Sequence, residues 1–200
     1  MSRTIWLFSF ILLTHAVSCK QPEIVIQKEK VIRIQPFIDI PENEISYIDS
    51  ALRELYSNVI LSRKIAFPEH AINKLEYRYR ADSLIRYLNT LAGEDEVIIG
   101  LTNRDISTTK GNVEDWGVMG LGYCPGRSCI ASSFRLRNHH RMEGFSKVTI
   151  HELGHTEGLP HCKILTCFMR DAEGENTTDE ETDFCSKCKK FLIEKKWKFR

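Results

Sequence analysis

The sequence has little that would support a function based on charge or on crossing a membrane. It lacks an excess of either sign: 28 Lys and Arg stand against 27 Asp and Glu, a formal net charge of +1. Removing the first eighteen residues takes away Arg3 alone and leaves the charges balanced. Such a chain has no global pull toward nucleic acid or an anionic membrane. Long hydrophobic runs are also missing, and the apolar stretch 5–13 is too short to span a bilayer comfortably. There is no internal repeat and no low-complexity region, so neither a repeat architecture nor a long disordered tract is indicated. What is there is 200 residues, 42% of them hydrophobic, enough to bury one core.

The N-terminus reads as a targeting signal. Arg3 gives a short positive region, the apolar run follows, and Ala16, Val17 and Ser18 precede Cys19. Small residues before a cysteine resemble a bacterial lipoprotein cleavage site, with residues 1–18 removed and Cys19 lipidated as the first mature residue. An ordinary secretory signal and an uncleaved anchor are the alternatives. The lipoprotein reading makes residues 19–30 a polar tether and the protein an exported, membrane-anchored component of a bacterial envelope. Residues 31–200 then form a single domain.

Periodicity gives an α/β order for that domain. Residues 31–37 alternate as a strand does, and Ile45, Ile48, Leu52 and Leu55 make a helical stripe in 44–57. A strand over 58–61 is expected next, then a helix over about 72–91, and a strand over 97–101. Residues 116–122 and 129–134 read as two more strands. Helices are expected over about 145–157 and around the segment that holds Cys185, Cys188 and 191–197. Charge is uneven at the end: residues 171–183 hold seven acids and no base, and residues 187–200 hold seven bases and one acid. A solvated loop followed by a solvated helix is the plain reading.

The informative stretch is 151–162, HELGHTEGLPHC. On a helix, His151 and His155 share a face, and two imidazoles so placed can bind one zinc ion with Glu152 beside it as a general base. Gly158 lets the chain leave the helix, Pro160 keeps the helix from resuming, and the turn can return His161 as a third ligand. Three histidines leave a fourth position open to water, as catalytic zinc sites do. Such a zinc lowers the pKa of its water toward ~7 and polarises a scissile carbonyl. Glu152 would move the proton from that water to the leaving amine.

A second constellation starts where the first ends. Cys162 and Cys167 form one pair, Cys185 and Cys188 another. Cx4C with CxxC is a four-thiolate zinc pattern, and two disulfides are the competing reading in an exported chain. Cys124 and Cys129 bracket CPGRSC and could form a disulfide, remain thiols or hold a further metal. His139 and His140 fall in a polar loop. Asn176 heads an N-glycosylation pattern that a bacterial lipoprotein would not use.

The run HELGHTEGLPHC-x4-C-x-M followed by CSKC resembles the archaemetzincins, zinc metallopeptidases marked by HExxHxxGxxHCx4CxM and a downstream CxxC. Residues 100–107 (GLTNRDIS) and 131–137 (ASSFRLR) are similar to further family segments, with Asn103 where an acid is more usual. The resemblance covers about residue 31 to the C-terminus. It implies a metzincin-type α/β fold: a twisted mixed sheet with packed helices, an active-site helix carrying HExxH, and a C-terminal lobe (162–200) around a four-cysteine zinc. It implies two zinc ions, one catalytic and one structural, and peptide or protein substrates. Met169 then takes the place of the methionine turn, an apolar floor under the imidazoles, where an ordinary core methionine is the alternative. Residues 116–122 become the edge strand of the cleft, to which an extended substrate can pair. A zinc-stabilised binding protein without turnover is the rival function. The intact Glu152 argues against it.

Overall fold

The computed structural model describes residues 30–73, 77–136, 140–172, 174–197 and 199. Cys19, the expected signal and all of the expected tether except Lys30 lie outside the described residues. Among those residues no helix is long and apolar enough to cross a membrane.

Five strands form the main sheet. These are β1 (Val31–Pro36), β2 (Val59–Leu61), β5 (Glu96–Thr102), β8 (Gly120–Gly122) and β9 (Ser128–Ser132), in the order β2-β1-β5-β9-β8. All neighbours run parallel except β8, which is antiparallel to β9 and lies at the edge. The central strand β5 is buried on both faces, as its nearly continuous apolar sequence requires. Val97, Ile99 and Leu101 enter one core cluster and Ile98 the other, following the period-two alternation of a strand. Helices α1 (Glu42–Leu55) and α3 (Arg141–Thr156) contribute to the first cluster. Helix α2 (Ala81–Leu91) contributes to the second, through Ala81, Leu84, Ile85 and Leu88. Helix α4 (Ser186–Glu194) closes the C-terminal lobe.

The expected helix over 72–91 starts later, at Ala81. Ile72–Asn73 (β3) pairs antiparallel with Arg78–Arg80 (β4), and among the described residues of this span only Ala81–Leu91 is helical. The apolar stripe begins at Ala81. Upstream, Arg78 is pulled into the sheet by ion pairs with Asp105 (2.7 Å) and Asp115 (2.9 Å). These partners are distant in sequence, so periodicity carries no trace of them. β4 also pairs with β6 (Ile106–Lys110), which the sequence reading missed, and β6 with β7 (Val113–Val118). The expected single strand 116–122 is therefore two. Its first part, β7, belongs to a four-stranded sheet β3-β4-β6-β7; its second part, β8, edges the main sheet.

Helix α3 begins a turn earlier than expected. Gly144 lies inside the helix, where a Cβ would stand 2.9 Å from Thr178 Oγ1. It is a close-approach glycine. The helix start is tied down by Arg141, which pairs at 2.8 Å with the buried Glu44 of α1. Glu44 also accepts the Ser133 hydroxyl at 2.5 Å. Through α3, residues 144–150, 152–154 and Thr156 are buried. A helix covered on nearly all sides is a rigid mount for the groups it carries.

Candidate active site and metal centres

His151 and His155 project from the last turns of α3, and their rings lie 4.6 Å apart centroid to centroid. Beyond the helix Gly158 adopts φ +98°, and Leu159 N–H returns to the Gly154 carbonyl at 3.2 Å. This left-handed termination turns the chain back. His161 thereby comes to 4.9 Å from His155 and 5.4 Å from His151, ring to ring. One nitrogen from each of the three rings falls within 4.8 Å of the others.

The outer nitrogens are engaged. His151 Nδ1 lies 2.7 Å from the Phe168 carbonyl, and His155 Nδ1 2.8 Å from the Leu159 carbonyl. A carbonyl only accepts, so each proton sits on Nδ1 and each Nε2 keeps its lone pair. His161 Nδ1 faces Asp171 Oδ2 at 3.1 Å. Three imidazoles oriented in this way are a fitting donor set for zinc with an open fourth position. The Phe168 and Leu159 carbonyls had no sequence signal, because any residue supplies one. Asp171, two residues beyond Met169, was legible in principle and was missed.

Glu152 lies on α3 against the edge strand. A Cβ on Gly120 would stand 2.5 Å from Glu152 Oε1, and one on Gly122 2.9 Å from the Glu152 carbonyl. The GLG of β8 is what admits the carboxylate, so those two glycines belong to the site. Met169 is wholly buried, and its sulfur occupies the space a Cβ on Gly154 would need. It packs beneath the helix turn that carries His151 and His155. A cleft of about 410 Å³ passes His151, Glu152 and His161, between Trp116–Gly120 on one side and 170–181 on the other.

Burial, then neighbouring His155, holds His151 down to about 3, and burial alone raises Glu152 to about 8. For the metal-free protein these shifts have opposite consequences. The folded state keeps His151 neutral to about pH 3, whereas an unfolded imidazole takes a proton near 6.5. Acidification through that window favours unfolding. The fold keeps Glu152 protonated to about pH 8, whereas an unfolded glutamate ionises near 4.5. Raising the pH through that window also favours unfolding. Between pH 6.5 and 8 the Glu152 effect acts without the His151 effect. In chelator-treated protein the low Cys185 thiol opposes this loss above about pH 7, so the expected result is a difference: across the interval the stability of wild type falls relative to that of Glu152→Gln. Denaturant melts at both pH values check this, and equal slopes would refute the buried carboxyl.

The four lobe cysteines converge as well. Their sulfurs lie within 4.8 Å of one another, and Cys162 Sγ is 3.8 Å from Cys185 Sγ. Thiolates about 2.3 Å from a tetrahedral zinc stand about 3.8 Å apart, whereas bonded sulfurs stand about 2.05 Å apart. The spacing fits a shared metal, and all four are free thiols. Burial opposes the Cys185 thiolate, but the Cys188 N–H and the neighbouring thiols outweigh it and bring Cys185 to about 7. Cys185 occupies the N-cap of α4, where helix N–H groups favour a thiolate.

The two centres share a segment. The Cys162 N–H bonds to the Met169 carbonyl at 2.7 Å, and the Phe168 N–H to the Asp183 carbonyl at 3.0 Å. Phe168 thus ties the cysteine lobe to His151 through its carbonyl.

The suggested Cys124–Cys129 disulfide is not formed. Both are free thiols, Cys129 buried and Cys124 exposed. Their sulfurs face different neighbours: Cys124 the Leu159 carbonyl at 3.6 Å, Cys129 the Ile98 carbonyl at 3.9 Å within the sheet. His140 is exposed, and His139 lies outside the described residues. Asn103 donates its backbone N–H to Asp39 Oδ2 at 2.7 Å, so its segment is held through the main chain whatever the side chain.

Comparison with known proteins accords with this geometry. The model of peptidase family M54 matches residues 16–194. The archaemetzincin of Methanopyrus kandleri is 32% identical over 137 residues, 66% of this chain and 76% of its own length. That of Halobacterium salinarum is 28% identical over 176 residues, 81% of this chain and 99% of its own. The crystal structure of the M. kandleri archaemetzincin aligns with a TM-score of 0.72 at 28% identity, covering 86% of this chain and 97% of that one. The Archaeoglobus fulgidus archaemetzincin, solved with malonate, has the same fold, with a TM-score of 0.69 at 24% identity over 80% and 98%. This chain belongs to peptidase family M54, the archaemetzincins, and is a zinc metallopeptidase.

Proposed function

We propose that peptide bonds are hydrolysed in the cleft beside β8, with the catalytic zinc held by Nε2 of His151, Nε2 of His155 and the His161 ring. The observation that carries this reading is the set of converging imidazoles, two with Nδ1 on a carbonyl, beside a buried Glu152. Zinc bound there supplies Lewis acidity, which brings a water's pKa toward ~7 and polarises a carbonyl. Glu152 is the general base. It takes a proton from the attacking water at a carboxylate oxygen and returns it to the leaving amine. Burial raises its proton affinity, and a cation among the imidazoles lowers it again, which brings the group near working pH. The free edge of β8 offers backbone groups to an extended peptide. Gly120 and Gly122 leave the face of β8 toward α3 open, so Glu152 lies directly against that strand. Mapping cleavage of a diverse peptide library by the zinc-loaded protein tests this reading.

Cys162, Cys167, Cys185 and Cys188 are proposed to hold a second, structural zinc, which makes two per chain. We also propose that the protein is exported and held at a membrane by lipid on Cys19. Wild-type protein is then expected to partition into detergent, and Cys19→Ser to lose the acyl mass and that partitioning. A wild type that is soluble, unlipidated and still begins at Met1 would overturn the anchor alone.

A further inference from the structure

The acidic segment 171–183 is not merely a solvated loop. Thr177, Thr178 and Glu181 are buried, and the segment walls the cleft. It packs closely across the cleft, since a Cβ on Gly174 would meet Trp116 Cζ2 at 3.2 Å.

Glu181 is the unusual member. It is 4% exposed, yet it contributes to the cleft lining. The Thr177 hydroxyl donates to its Oε1 at 2.9 Å. Glu181 itself shows no ion pair among the described residues. The nearby cations are committed elsewhere. Lys147 Nζ donates to the Thr178 carbonyl at 2.8 Å and pairs with Glu143 at 2.5 Å. Arg170 pairs with Glu180 at 2.6 Å. Arg135, which also lines the cleft, is held by both oxygens of Asp105 at 2.8 and 3.0 Å.

Lys147 and Arg170 favour the Glu181 carboxylate through space, but neither pairs with it directly and burial outweighs them; a partner that brings both charge and hydrogen bonds relieves the remaining cost. Burial accordingly pushes the Glu181 carboxyl above the usual carboxylate range. The same cleft presents Trp116, Val118 and Val148. Apolar walls with a carboxylate among them match a long basic side chain, whose methylene stem packs while its charged head finds an acceptor.

We propose that Glu181 is the specificity-determining residue of this cleft and selects peptides with lysine or arginine next to the scissile bond. The inference rests on the peptidase reading of His151, Glu152, His155 and His161. A matched peptide series carrying Lys, Arg, norleucine or Glu at each position in turn tests it, with products identified by mass spectrometry. Zinc-loaded wild type is expected to cleave beside Lys and Arg with kcat/KM about ten-fold or more above norleucine, as a hydrogen-bonded charge pair implies. Glu181→Gln is expected to bring that ratio to about one. A cleavage-incapable Glu152→Gln protein should bind the Lys peptide more tightly than the norleucine peptide by calorimetry. If Glu181→Gln fails to fold, the wild-type ratio and this binding difference decide the matter. Equal cleavage beside all residues, a preference for Glu, or an unchanged preference in folded Glu181→Gln overturns the inference and leaves the peptidase reading standing. No cleavage of any peptide by zinc-loaded wild type overturns both.

Discussion

Glu152→Gln is expected to keep its zinc and its fold and to lose hydrolysis by at least ~10²-fold, the range of general-base removal. The substitution is nearly isosteric, so it still fits against Gly120, where the space is tight. The amide cannot take a proton from water. The imidazoles keep the Phe168 and Leu159 carbonyls as partners, so the donor set survives. Zinc analysis, a thermal melt and turnover on one preparation provide the check. Normal turnover by a zinc-replete Glu152→Gln protein would refute the mechanism.

The second large effect concerns the lobe. Cys185→Ser is expected to lower the melting temperature more than His151→Ala does, by roughly 6–12 °C, as loss of about 3 kcal/mol implies in a domain this size. Around the cysteines the chain is mostly turns and isolated bridges, with Cys162 opposite Arg170 and Cys167 opposite Asp183. In the proposed account a zinc shared by the four cysteines holds these segments together. His151 lies on a helix that is packed without it. Because the Phe168 carbonyl orients His151, Cys185→Ser should also reduce turnover, although no cysteine touches substrate. Equal melting temperatures for the two variants would remove the structural zinc from the account.

The site was far more legible than the fold around it. His151, Glu152, His155 and His161 are set by helix spacing and a glycine turn, and both are local. The four cysteines announce themselves by type and interval. Helix α2 was visible from Ala81 onward because its stripe is local too. What stayed hidden depends on contacts between distant residues. Arg78 is a strand residue because Asp105 and Asp115 receive it. A glycine stands at 144 inside α3 because Thr178 comes close. The break between β7 and β8 follows from two sheets claiming neighbouring residues. The acidic run 171–183 looked like a solvated surface, and only the three-dimensional structure turns Glu181 inward.

The most direct test of the central claim is zinc titration of metal-free protein with turnover measured at each addition. The account predicts no hydrolysis without metal and full activity at two zinc ions per chain, with Glu152→Gln taking up the same two and remaining inactive. Hydrolysis by zinc-free protein, or a wild type loaded with two zinc ions that cleaves no member of a diverse peptide library, would contradict it.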